Sequence, residues 1–202
     1  MEKKLILLFA AVVIFCTLGI SCARPGDKNK NIIDDLKDLK SYSCNMDIQV
    51  KNSKQKIDYS ARQIYSVGLG YRLELNKDRT MVYKGNKIYI KDYKNNSVYT
   101  TDKSFDDVYR LSFIGEYIGL LYTDENIKYS FTKVGDEEYE LIKLKIPSNN
   151  KNLSNAVLHV NTKTKVPSKL FIYDFQGNEV MEITYKDFKA NDQVTADLFE
   201  VK

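Results

Sequence analysis

From Cys44 onward, apolar and polar residues alternate, and the alternation continues through most of the chain. In CNMDIQVKN, Cys44, Met46, Ile48 and Val50 share one parity, while Asp47, Gln49 and Lys51 share the other. A strand points successive side chains to opposite faces, so a period of two describes a strand with one dry face and one wet face. The same pattern returns in QKIDYSARQIYSV, YRLELN, TMVYK, KIYIKD, NIKYSFTKV, EYELIKLKI, AVLHVN, VPSKLFIYD and EVMEITYKDF. Turn residues separate these runs, among them the Gly68/Gly70 pair, KGNK at 84–87, GDEE, TKTK and FQGN. A spacing of about ten residues per strand and turn predicts antiparallel hairpins rather than crossover helices. The expected fold class is α+β, mainly antiparallel β: about ten strands in one large curved sheet, its apolar face covered by helices.

Two segments break the period. In NIIDDLKDLKSY, Ile32, Ile33, Leu36 and Leu39 recur at helical spacing, with Asn31 as cap and Asp34 and Asp35 in the first turn. SFDDVYRLSFIGEYIGLLYT predicts one long helix, capped by Ser104, with Asp106 and Asp107 in its first turn. Phe105, Val108, Leu111, Ile114, Tyr117, Ile118 and Leu121 would form its apolar stripe, which places Leu111 and Ile118 in the core.

The N-terminus, MEKKLILLFAAVVIFCTLGISC, follows a different logic. Lys3 and Lys4 precede an apolar run from Leu5 to Leu18, and Gly19, Ile20 and Ser21 lead to Cys22 and the polar ARPGDKNKN. That is the layout of a secretory signal. An uncleaved spanning anchor and an ordinary cleaved signal are the alternatives, and neither gives the cysteine a purpose. Ile20, Ser21 and Cys22 resemble the lipobox of bacterial lipoproteins, with Gly19 where leucine is usual. Cys16 follows the bulky Phe15 and does not compete. The expected cleavage lies between Ser21 and Cys22, with Cys22 lipidated. A diacylglyceryl group supplies two chains, enough for lasting attachment where one would not suffice. The expected organisation is a signal at 1–21, the lipidated cysteine and a Pro25/Gly26-containing tether at 22–31, and a β-rich domain at 32–202.

About 180 of the 202 residues remain after cleavage, enough for one domain with a sizeable core. The formal charge of +4 falls to +3 when Lys3, Lys4 and Glu2 are removed. Both signs are interspersed, whereas a nucleic-acid binder concentrates its basic groups on a face or arm. Cys16 is lost on cleavage, Cys22 is alkylated and Cys44 is left alone, so no disulfide framework forms.

Nothing in the chain arranges catalytic chemistry. His159 is the only histidine and sits in AVLHVN with the parity of Val157. It has no HxxxH, second histidine or cysteine pair to make it a ligand or base. Cys44 shares the parity of Met46 and Ile48 and reads as a buried thiol. Asp34-Asp35 and Asp106-Asp107 open helices, and Asp136-Glu137-Glu138 lies at a hairpin turn. The expectation is a non-enzyme with no catalytic residues, no metal site and no cofactor. The 15 Tyr and 9 Phe, including Tyr71, Tyr83, Tyr89, Tyr93, Tyr99, Tyr117, Tyr122 and Tyr129, either pack a filled sheet or line a lipid cavity.

The order of elements resembles the LolA/LolB/RseB-like fold, an incomplete β-barrel with helices in its concavity. The resemblance is carried by YRLELN, MVYKGNKIYIKDYKNNSVYTT, FIGEYI and AVLHVNTKTKVPSKLFIYDFQGNEVMEITYKDFKAN. Within that group the chain is similar to the GerS-type spore germination lipoproteins of clostridia. This resemblance implies a non-catalytic protein, anchored in the cell membrane on its extracytoplasmic side, in the forespore intermembrane space. Its implied partner is a zinc-dependent N-acetylmuramoyl-L-alanine amidase of the CwlD type, activated so that muramic-δ-lactam forms in the spore cortex. It implies no nucleic-acid partner, leaves a homodimer open and marks no partner-binding residues. The alternative is a lipid or lipoprotein carrier, which requires an open apolar cavity.

Overall fold

The computed structural model describes residues 32–52, 54–123, 128–148 and 150–201. Ser21, Cys22, the tether and the Asn31 cap lie outside the described residues. Residues 32–37 form a helix, α1. Six strands follow: β1 (Ser41–Lys51), β2 (Lys56–Ser66), β3 (Gly70–Leu75), β4 (Arg79–Lys84), β5 (Lys87–Asp92) and β6 (Ser97–Asp102). A helical connection carrying α2 (Ile114–Leu121) leads to β7 (Lys128–Val134), β8 (Glu137–Lys145), β9 (Asn155–Asn161), β10 (Pro167–Tyr173) and β11 (Glu179–Ala190).

All eleven strands join one antiparallel sheet in the order β6-β5-β4-β3-β2-β1-β11-β10-β9-β8-β7. Every neighbour is consecutive in sequence except the central pair, where β1 meets β11 in the register Ile48↔Ile183. The chain thus lays out two runs of hairpins, and β1 and β11 seam them together. The tight hairpins depend on a few backbone positions. Gly70 has φ +104, and a Cβ there would lie 2.1 Å from the Tyr83 carbonyl oxygen, so no other residue fits.

Alternation delivers the expected dry face. Met46, Ile48, Leu73, Met81, Ile88, Ile142, Leu158, Leu170 and Ile183 are buried on it. The helical segments cover that concave face: Ile32, Ile33 and Leu36 of α1, and Ile114, Tyr117, Ile118 and Leu121 of α2, join the same core. Leu111 and Ile118 are buried as expected. Full burial of such side chains contributes about 1.5–3 kcal/mol each. The convex face has a smaller cluster, where Phe199 of the C-terminal segment rests on Ile64 and Val82. Arg72 Nη1 fixes that segment by donating to the Leu198 carbonyl at 2.7 Å.

Two expectations are corrected. The single long helix over 104–121 is three pieces: 3-10 turns at Lys103–Phe105 and Tyr109–Ser112, then α2. Asp106 interrupts it. Its Oδ1 accepts the backbone N–H groups of Val108 and Tyr109, and its Oδ2 accepts the Tyr83 hydroxyl at 2.7 Å, which pins the loop to β4. Tyr185 Oη then donates to the Ser112 carbonyl at 2.8 Å, taking the acceptor that a continuing helix would use. Phe113 is consequently extended (φ −79, ψ 119), and Phe105, assigned to the buried stripe, is exposed. The strand count is also corrected: SVYTTD forms β6 at the margin of the sheet.

Candidate functional site

The concave face is filled. A ladder of rings runs across it, Tyr42–Tyr65–Tyr71–Phe113–Tyr83, with successive centroids 4.5–5.3 Å apart. Gly115 of α2 lies so close to Tyr71 that a Cβ would sit 2.3 Å from its hydroxyl oxygen. The polar groups around α2 inside the concavity are paired. Tyr42 Oη donates to Gln63 Oε1 at 2.7 Å, and Gln63 Nε2 donates to Ser112 Oγ at 2.9 Å. Tyr117 Oη donates to the Ile142 carbonyl at 2.7 Å and accepts the Leu158 N–H at 3.2 Å. Burial pushes the hydroxyls of Tyr42, Tyr117 and Tyr185 well above the ordinary tyrosine range, so they stay neutral donors. Beside α2, a cleft of about 60 Å³ between Leu111, Leu120 and Ile146 is far smaller than the roughly 300–1,000 Å³ of ligand pockets. A cleft of about 350 Å³ against β1, β2 and β11 is lined by polar groups, including Asp47, Gln49, Asp58 and Glu182, which have the parity opposite to the dry face.

The residues weighed for chemistry stay apart. Cys44 is buried, and desolvation pushes its thiol up to about 12, far from a reactive thiolate. His159 is half-buried on the convex face, tilted against Phe171 at 4.9 Å; burial and the neighbouring Lys169 lower its pKa. Among the described residues no group of three or more His, Cys, Asp or Glu side chains is placed to hold a metal ion. No described helix is long and apolar enough to cross a membrane. Of the tyrosines, Tyr83 and Tyr117 are buried in the core, whereas Tyr89, Tyr93, Tyr99, Tyr122 and Tyr129 are exposed.

What the arrangement leaves available is at the margins. Among the described residues, β6 and β7 each have a strand on one side only, and each exposes large apolar residues: Val98 and Tyr99 on β6, Tyr129, Phe131 and Val134 on β7. Such edges are templates for pairing with another chain. Next to each margin lies a buried acid. Asp92 on β5 accepts the Asn95 N–H at 3.0 Å, Asn95 Nδ2 at 3.1 Å and Arg79 Nη2 at 3.2 Å. Glu140 on β8 is fully buried, and neither of its oxygens has a hydrogen-bond partner. Desolvation raises its carboxyl pKa to about 7. Sequence reading missed Glu140 as a site. The signal was its parity with Ile142 and Leu144, which already pointed an acid into the dry face.

Comparison with known proteins places the chain in a family. A family model described as "Sporulation protein YdcC-like" matches residues 2–199. The chain belongs to the YdcC-like sporulation proteins. No curated protein matches it. Among solved structures, an uncharacterized conserved protein from Thermus thermophilus is 10% identical and superposes with a TM-score of 0.58, covering 86% of this chain and 94% of that one. The match in the structure of the CwlD amidase from Clostridioides difficile in complex with the GerS lipoprotein is 26% identical, with a TM-score of 0.49 over 83% of this chain and 96% of that one. The LolA superfamily protein NE2245 from Nitrosomonas europaea is 11% identical, with a TM-score of 0.45 over 85% and 97%. The chain has the architecture expected of it, a curved, unclosed antiparallel sheet with helices in its concavity.

Proposed function

We propose that this sporulation protein is a non-catalytic lipoprotein that binds and activates a zinc-dependent N-acetylmuramoyl-L-alanine amidase of the CwlD type. Its action would allow muramic-δ-lactam to form in the spore cortex and so prepare the spore for germination. The observation that carries a binding role is the contrast between a concave face packed solid and two sheet margins left open with exposed aromatic residues. Function then resides in pairing with another chain rather than in holding a small molecule. The partner's identity comes from the resemblance of the sequence to the GerS-type lipoproteins and fits the sporulation family. The filled concavity argues against a lipid carrier.

Lipidation of Cys22 after cleavage at Ser21 would hold the protein on the extracytoplasmic side of the membrane, where cortex is built. Metal affinity depends on groups that orient the ligands from outside, and a docked protein can order those groups. The test is to measure zinc occupancy and turnover of the amidase on cortex fragments with and without this protein. Both should rise on addition. An amidase equally metallated and equally active in its absence would refute activation, and peptidoglycan cleavage by this protein alone would refute the non-enzyme reading.

A further inference from the structure

β7 and Glu140 together describe what kind of segment fits the open margin. β7 and β8 are joined by a two-residue turn at Gly135 and Asp136, with Val134 opposite Glu137. The pair closing such a turn is hydrogen-bonded, and the pairs alternate from there. Val134, Thr132 and Ser130 therefore spend their backbone groups on β8, whereas Lys133, Phe131 and Tyr129 direct theirs to the open side. These same three residues share a parity, and Phe131 is the cross-strand partner of Glu140. Glu140 in turn faces Val160 on β9, which is fully buried. A carboxyl with no hydrogen bond thus lies one strand in from an unpaired edge, and its cross-strand partner on that edge is the exposed Phe131.

An unpaired buried carboxylate is costly, and a cation supplied with good geometry removes much of the cost. A strand added to β7 would lie two strand spacings from β8, about 10 Å. Glutamate and arginine side chains bridge that gap from opposite sides, with the arginine stem lying over the Phe131 ring. The opposite margin has no such unpaired acid: Asp92 is satisfied by Asn95 and Arg79, and Lys87 already pairs with Asp102 of β6 at 2.6 Å.

We propose that β7 is the docking edge for an extended segment of a partner protein that places an arginine or lysine opposite Phe131, its cationic head reaching Glu140. The inference rests on the reading that the protein works by binding another protein, and it assigns the edge, the backbone register and the charge of the segment.

The test uses the full-length chain in detergent micelles and two fluorescent nonapeptides of alternating threonine and valine, one with arginine at its centre and one with citrulline. By anisotropy, the arginine peptide should bind about thirtyfold more tightly than the citrulline peptide, the loss typical of truncating one partner of a buried charge pair. Glu140→Gln should bring the two peptides to equal affinity. Lys133→Pro removes an outward N–H without touching the β7–β8 ladder and should abolish binding of both, while Lys133→Gln should keep it. Absence of binding, equal affinity of the two peptides for the wild type, or an unchanged preference in Glu140→Gln overturns the assignment. So does a dimer of this chain that Lys133→Pro dissociates, because a second copy would then be the occupant. The same variants titrated against the amidase separate the two readings. If every variant binds it as the wild type does, this edge is not the docking site, although the activator reading stands. If the peptides behave as expected and the amidase binds no form, the activator reading fails and the edge assignment survives.

Discussion

Asp92 and Glu140 occupy equivalent places at the two margins of one sheet. Each is a buried acid on the strand next to the edge, and each points into the same concave face. Their surroundings drive them in opposite directions. Hydrogen bonds from Asn95 and the Arg79 guanidinium hold the Asp92 carboxyl below the ordinary aspartate range. Burial without any donor lifts Glu140 to about 7. The comparison separates burial from satisfaction. A turn that brings its own donors makes a buried acid part of the fold, whereas a mid-strand position surrounded by apolar side chains leaves it dependent on something brought from outside.

Damage to the shared core should erase the difference and have the largest effect. Ile118→Ala removes a buried side chain from the helix that spans both halves and should cost about 2–5 kcal/mol in denaturant-induced unfolding. Loss of both margins in one cooperative transition is the expected result. Separate transitions for the β1–β6 and β7–β11 halves would show that the seam between β1 and β11 does not unite them.

Titration of Glu140 should have the next largest effect. Its folded pKa of about 7 lies above the usual glutamate value of 4.5, so the folded state prefers the protonated form. Stability is then fully present below about pH 4.5, falls as the pH rises towards 7 and levels off above it. The total loss is up to about 3 kcal/mol. Tyr129 is the titratable neighbour from β7, and its own pKa is raised by burial and by Glu140, so it stays neutral across this window. Glu140→Gln should abolish this fall and leave the variant more stable than the wild type at pH 8. Equal pH profiles would mean that Glu140 is solvated in solution.

Asp92 should show the opposite sign and a smaller effect. Its folded pKa is depressed, so its contribution is present above the ordinary aspartate value and is lost as the pH falls through the folded pKa. Asp92→Asn should lower the unfolding midpoint at pH 7 and change little at pH 2. A fall in stability that remains undiminished at pH 2 would assign the role to packing instead of charge.

The alternation of apolar and polar residues made most of this fold legible. It marked ten of the eleven strands: a half-buried strand must alternate, and β7, though exposed on both faces, still alternates Tyr129 and Phe131 with polar residues. β6 escaped because SVYTTD does not alternate: Val98 and Tyr99 are adjacent and only polar residues follow, and both faces of the strand are largely exposed. The helical connection was misread for a different reason. Its apolar residues do recur at helical spacing, but Asp106, Tyr83 and Tyr185 supply hydrogen bonds from across the sheet that end each turn early. The candidate site was half legible. The parity of Glu140 was readable beside Ile142 and Leu144; its lack of a partner was not, because partners such as those of Asp92 come from residues placed by the fold. The lipobox at Ser21 and Cys22 was legible as residue types alone, because its chemistry needs a thiol after a small residue and no tertiary partner.

The smallest expected effect on either margin comes from the anchor. Cys22→Ser removes the thiol that would receive the diacylglyceryl group, and nine residues separate it from Ile32, where the described fold begins. The donors to Asp92 and the apolar neighbours of Glu140 described above all belong to residues 32–201, so the midpoints and pH profiles of both should stay within about 0.5 kcal/mol of the wild type, as for a substitution that removes no packed or paired group. Membrane attachment should change completely. Two acyl chains contribute about 0.8 kcal/mol per buried methylene, and without them the protein should move from the detergent phase to the aqueous phase on Triton X-114 partition. Mass spectrometry of the wild-type N-terminus should find the adduct on Cys22. A variant that still partitions into detergent and retains Met1 would identify the apolar run from Leu5 to Leu18 as the anchor, and the lipid would then have no part in holding either margin near its partner.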